Sequence, residues 1–207
     1  MPVPERHEGR FVVLTPLRPE EDMDELFAAS HEAGAAADLW RYMPCGPFDD
    51  ATFMRAWFTA WQAQPDVVAF AVNCARTRQK MGMISIMRIT PRHGVAELGF
   101  IWYAPAAQRT KANTETVCLL LGHLFDTLHY RRVEWKCDNL NERSKTAALR
   151  LGFAEEGLFR QHMVVKGRNR DTAWFAMTDG DWARKKPNFE RWLYSEGGVS
   201  LAELNRA

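Results

Sequence analysis

A polar turn between an apolar segment and an amphipathic segment is the part of this sequence best suited to chemistry. The run VAELGFIWYA at 95–104 is followed by PAAQRT and then by KANTETVCLLL. A helix that begins in this turn leaves its first N–H groups without intrahelical partners, and the helix dipole adds partial positive charge there. Arg109 and Lys111 add two side-chain cations. The turn therefore predicts an anion site that suits phosphate.

Small polar residues in the same turn leave a second interpretation open. Thr110, Asn113 and Thr114 can donate hydrogen bonds to a phosphate oxygen, or they can cap a helix that only packs the core. In the second case the two cations face water. The nucleotide fingerprints GxGxxG and GxxxxGK followed by Ser or Thr do not occur in the sequence, so neither a Rossmann nor a P-loop site is indicated.

The elements around the turn follow an order that predicts a mixed sheet. FVVLTPL at 11–17 alternates like a strand, and a helix with an acidic first turn follows it. After an aromatic loop, Asp49 or Asp50 can cap a second helix. Three strands come next, then the helix after the polar turn, a strand, a short helix ended by Gly152, and a closing hairpin around Lys166-Gly167. The predicted order is β-α-α-β-β-β-α-β-α-β-β.

Composition limits the classes of protein to which the chain can belong. With 207 residues and 46% hydrophobic content, the chain can bury one substantial core, which favours a single domain over 1–207 with a helical appendage at 181–207. Basic and acidic residues nearly balance, at 27 and 26, so composition supports neither a nucleic acid nor a membrane as partner. The cluster Arg184-Lys185-Lys186 fits a solvated face better than a binding patch.

Cysteine usage and the first residues predict a cytoplasmic protein. The four cysteines are widely spaced and form no CxxC pair, so reduced structural thiols are expected. The start MPVPERHEGR lacks the apolar core of a signal peptide, and the apolar stretches are too short to span a bilayer.

Three segments together resemble the GCN5-related N-acetyltransferase (GNAT) superfamily, and in particular its group of ribosomal-protein alanine N-acetyltransferases. The run at 109–114 is similar to the family's Q/R-x-x-G-x-G/A turn, although Ala112 replaces the first Gly and Thr114 the second Gly or Ala. CDNLNERSKTAALRLGF at 137–153 resembles the signature that follows the next strand. EEGLFRQHMVVKGRNRDTAWFAM at 155–177 resembles the closing hairpin. The three matches occur in the family's order, and the resemblance covers roughly residues 9–180, which is most of the chain.

The resemblance implies a fold and a co-substrate. The fold class is α/β of the mixed α+β type, a GNAT fold with a central mixed, mostly antiparallel twisted sheet that is flanked by helices on both faces. Acetyl-CoA is the implied co-substrate, with no metal, and its pyrophosphate would contact the backbone amides of the turn. The implied cofactor-binding residues are Ile101, Trp102, Tyr103, Gln108, Arg109, Thr110, Lys111, Ala112, Asn113, Thr114, Asn141 and Ser144.

Two residues match positions with catalytic roles in the family. Glu97 matches a general base of some relatives, and the alternative is that it faces solvent or pairs with an arginine. Ser144 would lie near the thioester sulfur as general acid, and the alternative is a helix residue next to an Asn141 cap. Gly99 suits the β-bulge with which the family exposes an amide to the thioester oxygen.

The acceptor amine would bind where the family varies most. Trp40, Tyr42 and Phe48 lie in the aromatic loop before the second helix and suit an apolar cradle, while His162 lies in the closing hairpin. These four residues are the predicted substrate-binding set. The alternative for the loop aromatics is ordinary core packing.

The sequence therefore predicts an N-acetyltransferase that moves the acetyl group of acetyl-CoA to a primary amine by direct attack in a ternary complex. The amine could be a protein or peptide N-terminus or a small molecule. The alternatives are a catalytically silent GNAT-fold protein that binds CoA or acyl-CoA as a sensor, and a plain interaction domain. The expected partners are acetyl-CoA and the amine, and the tail helix could add a homodimer contact.

Overall fold

The computed structural model describes residues 1–32, 34–195 and 198–206. Within these residues there are eight strands and seven α-helices. The strands are β1 (His7–Glu8), β2 (Val12–Pro16), β3 (Val68–Cys74), β4 (Lys80–Thr90), β5 (Val95–Tyr103), β6 (Arg132–Asp138), β7 (Ala154–Val165) and β8 (Arg168–Thr178). The helices are α1 (Pro19–Ser30), α2 (Ala36–Leu39), α3 (Ala51–Gln62), α4 (Ala112–Gly122), α5 (Glu142–Arg150), α6 (Asp179–Tyr194) and α7 (Leu201–Arg206).

The strands form one sheet in the order β1-β2-β3-β4-β5-β6-β8-β7. Strands β5 and β6 pair in parallel, with Val95–Glu97 opposite Arg132–Glu134. The pairs β1–β2, β2–β3, β3–β4, β6–β8 and β7–β8 are antiparallel. The predicted mixed α/β class with a mostly antiparallel sheet is confirmed.

The sequence pattern did not predict three short elements. β1, α2 and α7 have two, four and six residues. A periodic pattern needs more residues than these elements contain, because a helical stripe is recognised over about 11 residues or more. The other predicted strands and helices are present, and their ends shift by a few residues.

The described chain divides into two compact units, 1–89 with 98–119, and 90–97 with 120–207. The expectation of a single domain over 1–207 stays a prediction, and its residues 33, 196, 197 and 207 lie outside the described residues. No helix in the described part of the chain is both long and apolar enough to span a bilayer.

The core of the first unit is rich in aromatic side chains. Trp40 and Phe58 are fully buried in it, and Trp61 is nearly so. The ring of Phe100 from β5 lies 4.3 Å from the Trp61 ring, measured between centroids. The aromatic stripe of α3 is therefore a packing face, as its helical spacing predicts.

The second unit buries the aromatic side of α6. Trp182 and Phe189 are almost fully buried, and the Trp182 ring lies 6.1 Å from that of Phe125. The Trp182 indole N–H also donates to Asp126 over 2.9 Å. The tail helix expected from the sequence therefore packs within this unit through its aromatic side chains.

Helix ends follow the capping signals in the sequence. The Asp50 carboxylate accepts hydrogen bonds from the N–H groups of Thr52 and Phe53 at the start of α3. Gly152 follows α5 with a φ of +91°, which a residue with a Cβ rarely adopts. The predicted cap and the predicted stop are both present.

The Asp50 cap gives a test of the fold. Replacing Asp50 with Ala removes the acceptor for two N–H groups, and we expect the free energy of unfolding to fall by about 1 kcal/mol. Urea unfolding followed by circular dichroism measures the change. Asp49→Ala, one residue away, is the matched control and should leave the midpoint unchanged. Equal effects of the two variants would contradict the cap.

Candidate active site

The turn before α4 has a backbone conformation that suits an anion. Arg109 has a φ of +60°, in the left-handed region that costs a non-glycine residue about 1 kcal/mol. Strain of this kind often marks a functional position. The preceding residue, Gln108, is extended, with a φ of −67° and a ψ of 147°, and α4 begins three residues after Arg109, where the first N–H groups of the helix can face an anion. The side chains of Gln108, Arg109 and Thr110 are exposed.

Thr110 fixes the start of α4. Its hydroxyl donates to the carbonyl of Ala107 over 2.7 Å and accepts from the N–H of Ala112 at 3.2 Å. Gln108 donates from its side-chain amide to the carbonyl of Tyr103 over 2.9 Å. These bonds tie the turn to the end of β5 and to the first residue of α4.

The two departures from the family's glycine pattern do not obstruct the turn. Ala112 is the first residue of α4 and its φ is not positive, so its methyl group causes no backbone strain. Thr114 is fully buried, so its bulk points away from solvent. Asn113 lies inside the first turn of α4 rather than before it. Asn113 is therefore not the cap of this helix.

A carboxylate in the first turn of α4 holds the beginning of β2. The Oε1 atom of Glu115 accepts from the N–H of Arg10 at 2.9 Å, and its Oε2 atom accepts from those of Phe11 and Val12 at 2.7 and 2.8 Å. Glu115 is fully buried. Three charge-assisted bonds satisfy a carboxylate that could not otherwise be buried.

The approach of Glu115 depends on Gly9. A Cβ atom on Gly9 would lie 2.4 Å from the Glu115 carboxyl carbon. Next to this contact, the Lys111 ammonium lies 5.0 Å from the centre of the Phe11 ring. The β1–β2 turn and the first turn of α4 are therefore fixed to one another by a buried carboxylate and a cation–π contact.

The end of β5 carries the other predicted cofactor residues of the first unit. Ile101 is half-buried, while Trp102 and Tyr103 are buried. Phe100 has a φ of +52°, and the carbonyl of Gly99 accepts from the Ser85 hydroxyl over 2.8 Å. The sequence predicts a strand irregularity at Gly99. In the structure, the residue with the left-handed conformation is Phe100, one position after Gly99.

Burial changes the pKa of the Tyr103 hydroxyl. Burial raises the pKa of Tyr103 well above its ordinary value, and the nearby Thr116 hydroxyl offsets only part of that rise. Tyr103 therefore keeps its proton at neutral pH and is a poor donor to a departing thiolate.

In the second unit, Glu97 belongs to a buried cluster of alternating charges. The Lys136 ammonium lies 2.9 Å from the Glu97 carboxylate and 2.7 Å from that of Glu134, and each of the three side chains is mostly buried. Lys136 also lies 3.9 Å from the centre of the Trp174 ring. Glu97 is therefore ion-paired. Its partner is a lysine, whereas the alternative considered from the sequence was a pair with an arginine.

Asn141 and Ser144 meet at the start of α5. The Asn141 side chain accepts from the N–H of Ser144 at 3.1 Å, so Asn141 is the cap of this helix. The Trp135 indole N–H donates to the Ser144 hydroxyl oxygen over 2.9 Å. The bond to the indole does not use the hydroxyl proton of Ser144. Ser144 can therefore take part in the helix start through its N–H and still donate a hydrogen bond from its hydroxyl.

Cys137 follows Lys136 and is not an activated nucleophile. Burial raises the pKa of the Cys137 thiol, and this outweighs the opposite effects of the Ser144 hydroxyl and of two nearby cations, Arg170 and Lys145. The thiol form dominates at neutral pH.

His162 lies on an aromatic surface of the hairpin. Its Nδ1 atom is 3.0 Å from the Thr172 hydroxyl, and its ring contacts Phe159 edge-on at 5.4 Å. The Phe159 ring lies 4.7 Å from that of Trp174, which also contacts Lys136. In the second unit, the His162 ring therefore lies 6.0 Å from the Trp174 ring, which contacts the lysine that pairs with Glu97.

The loop aromatics separate into two groups. Trp40 is fully buried and contacts Phe48 at 5.2 Å and Trp102 at 5.7 Å between ring centroids, so it belongs to the core. Tyr42 and Phe48 are half-buried. These two residues are the members of the predicted loop set that have surface available for an acceptor.

Two important residues were not identified from the sequence. Glu115 carried one signal, an acidic residue among the apolar residues of α4. Lys136 carried another, because the alternation in RVEWKCD puts Arg132, Glu134 and Lys136 on one face of a strand. Neither signal names the partner residue.

The chain is similar to acetyltransferases in sequence and in structure. The family model described as "Acetyltransferase (GNAT) domain" matches residues 12–154. The chain is 24% identical over 148 residues to the "Putative ribosomal N-acetyltransferase YdaF" of Bacillus subtilis (strain 168), covering 71% of this chain and 80% of that protein. A GCN5-related N-acetyltransferase from Brucella melitensis superposes with a TM-score of 0.94 at 38% identity, over 100% of this chain and 96% of that one. A GNAT-family protein from Chromobacterium violaceum ATCC 12472 gives 0.83 at 37% identity, over 88% and 90%.

Glu115 gives a test of the turn. In Glu115→Gln one oxygen must replace two, and the new amide N–H₂ faces backbone donors, so we expect the free energy of unfolding to fall by about 2 to 3 kcal/mol. Urea unfolding measures the change. Glu142→Gln, which changes an exposed acid in the first turn of α5, is the control and should have little effect. A Glu115→Gln loss no larger than that of the control would show that the three bonds add little stability.

Proposed function

Because the chain belongs to the GNAT acetyltransferase family, we propose that it transfers the acetyl group of acetyl-CoA to a primary amine. The observation that carries the proposal is the turn before α4, where Arg109 is left-handed and exposed and Thr110 fixes the first helical N–H. We assign this turn to the pyrophosphate of CoA. The family resemblance assigns it the same ligand.

The side chains in and next to the turn have different proposed roles in binding. Arg109 and Lys111 supply positive charge beside the first N–H groups of α4, which have no partners within the helix. Glu115 is the residue that keeps the turn in place, since its carboxylate anchors the first turn of α4 to backbone far away in sequence. A site fixed before the ligand arrives loses less conformational entropy on binding.

Acetyl transfer to an amine needs a deprotonated nitrogen, a polarised thioester carbonyl and a proton for the leaving thiolate. We assign the first task to Glu97, directly or through water, because a base must be in its carboxylate form and Lys136 pairs with that form. The amine nitrogen forms a bond to the acetyl carbon as the carbon–sulfur bond breaks. The product is an amide and CoA.

The proton for the thiolate is assigned to Ser144. Its oxygen accepts from Trp135, which leaves its hydroxyl proton directed elsewhere. Tyr103, the competing donor, is less suitable because its side chain is buried. The raised pKa of the Cys137 thiol argues against an acyl-enzyme on that residue.

The acceptor is proposed to be the α-amine of a polypeptide N-terminus. The support is the relative from B. subtilis that is named a ribosomal N-acetyltransferase. In the first unit the half-buried Tyr42 and Phe48 offer aromatic surface of the kind that holds a peptide, and in the second unit Phe159 and His162 do the same. A small-molecule amine is the second candidate, and a panel of peptides with free and blocked N-termini separates the two.

Titration of the purified protein with acetyl-CoA tests the assignment of the turn. We expect micromolar binding by calorimetry, and Arg109→Glu should weaken it at least tenfold, which is about 1.4 kcal/mol, because a cation beside the pyrophosphate becomes an anion. Arg92→Glu changes an exposed arginine in the turn before β5 and is the control for net charge. Binding that both variants leave unchanged would remove Arg109 from the site, and no binding by the wild type would overturn the proposed function.

Glu97→Gln tests the base. We expect turnover with the accepted amine to fall at least tenfold while the affinity for acetyl-CoA stays near that of the wild type, because a neutral amide cannot take up the proton. Glu134→Gln is the matched control, since Glu134 contacts the same lysine and has no assigned role in catalysis. If the two variants lose activity equally, the ion-pair cluster supports the structure and Glu97 is not the base. If an active wild type retains full turnover as Glu97→Gln, the base lies elsewhere.

A further inference from the structure

A cleft of about 500 Å³ lies between α6 and α7, and none of the described residues that line it has a role assigned above. Among the described residues that line it, four are cationic, namely Arg184, Lys185, Arg191 and Arg206, and one is a carboxylate, Asp181. The volume is in the range of small-molecule sites. The proposed acetyl transfer gives this cleft no task.

The cations come from one face of α6 and from the facing helix. Arg184, Asn188 and Arg191 are spaced by four and three residues, so they project from the same side of α6. Arg206 comes from α7. Of the basic cluster noted in the sequence, Arg184 and Lys185 line the cleft, whereas Lys186 lies 3.2 Å from Asp126.

The one carboxylate among the described residues that line the cleft is already engaged. Asp181 accepts from the N–H and the hydroxyl of Thr178, at 3.0 and 2.7 Å, as part of the capping box of α6, and it lies 2.6 Å from Arg184. Burial alone would raise the pKa of Asp181, but the bonds to Thr178 and the charges of Arg184 and Lys185 together hold it below its ordinary value. Three further cations face the same space.

Hydrogen bonds hold the walls of the cleft in place. The Asn188 side chain donates to the carbonyl of Leu204 over 2.8 Å and to the Asn205 side chain over 3.2 Å. Asn205 in turn donates to the carbonyl of Arg150 at the end of α5, over 3.1 Å. Leu201 of α7 is buried. These bonds join α6, α7 and the end of α5, and they fix the backbone of the cleft walls, while Arg184 and Arg191 are exposed to an incoming anion.

We propose that the cleft between α6 and α7 is a second anion site that binds a small, multiply charged, phosphate-bearing molecule. Arginine side chains present planar sets of donors that match phosphate oxygens in pairs, and Arg184 and Arg191 stand one helical turn on either side of Asn188. Several converging cations favour a ligand with more than one negative charge. The proposal does not depend on acetyl transfer.

Calorimetric titration with inorganic pyrophosphate at low ionic strength tests the site. All proteins in the experiment carry Arg109→Glu, so that any binding at the turn before α4 is weakened and is the same in every protein compared. We expect this background protein to bind pyrophosphate, and the further substitutions Arg184→Gln and Arg191→Gln to weaken binding at least tenfold. The matched control adds Arg92→Gln and Arg160→Gln, two exposed arginines elsewhere, and should bind like the background.

Three results would overturn the proposal. The first is no binding of millimolar pyrophosphate to the background protein. The second is equal weakening in the cleft and control variants, which would show a general charge effect. The third is tight binding of a single-stranded oligonucleotide with none of pyrophosphate, which would assign the cleft to a nucleic acid instead. Thermal unfolding of each variant confirms that the fold is retained, since the four changed arginines are all exposed.

Discussion

The carboxylate of Glu115 is the contact on which the first unit depends most. Burying a carboxylate is costly unless its charge is hydrogen-bonded, and here three backbone N–H groups meet it at 2.7 to 2.9 Å. Because the donors belong to the backbone of residues 10–12, they cannot rotate away as side chains can. Gly9 is required beside them, since a methyl group there would collide with the carboxylate. One interaction thus fixes the start of β2 and the start of α4 at the same time.

This fixation matters for the turn at 108–111. An anion site made of backbone N–H groups works only if their directions are held, and the left-handed Arg109 has an intrinsic preference against its conformation. The energy that holds Arg109 must come from neighbouring contacts. Thr110 supplies two of them on one side, and the Glu115 anchor supplies the rigid helix start on the other. Strain at a proposed binding position is therefore balanced by bonds within one helical turn of it.

Sequence reasoning predicted well those features that local pattern decides. The Asp50 cap, the Gly152 stop and the hairpin turn at Lys166-Gly167 rest on the conformational preferences of single residues, and each is present. The long helices and strands rest on apolar periodicity and are present too. Trp40 shows the limit, because an aromatic loop residue can serve the core or a ligand and only its burial decides between them.

The sequence did not predict which residues that are far apart in the chain contact one another. Glu115 finds its partners 103 to 105 residues away, and no periodic pattern connects them. The alternatives for Glu97 were a solvent-facing carboxylate or a pair with an arginine, and neither named Lys136, which lies on the neighbouring strand because of the parallel register of β5 and β6. A register cannot be read from a strand by itself, since it depends on which strands become neighbours.

The two buried glutamates, Glu115 and Glu97, differ in the kind of partner that binds each carboxylate. Glu115 accepts three bonds from fixed backbone donors, and these bonds give it the structural role of joining the start of β2 to the start of α4. Glu97 pairs instead with a flexible ammonium that also contacts Glu134 and the face of Trp174. Lys136 is shared by two carboxylates and an aromatic ring, so Glu97 is held by a side chain that has other partners rather than by fixed backbone donors. This difference is the reason for which we propose a chemical role for Glu97 and a structural role for Glu115.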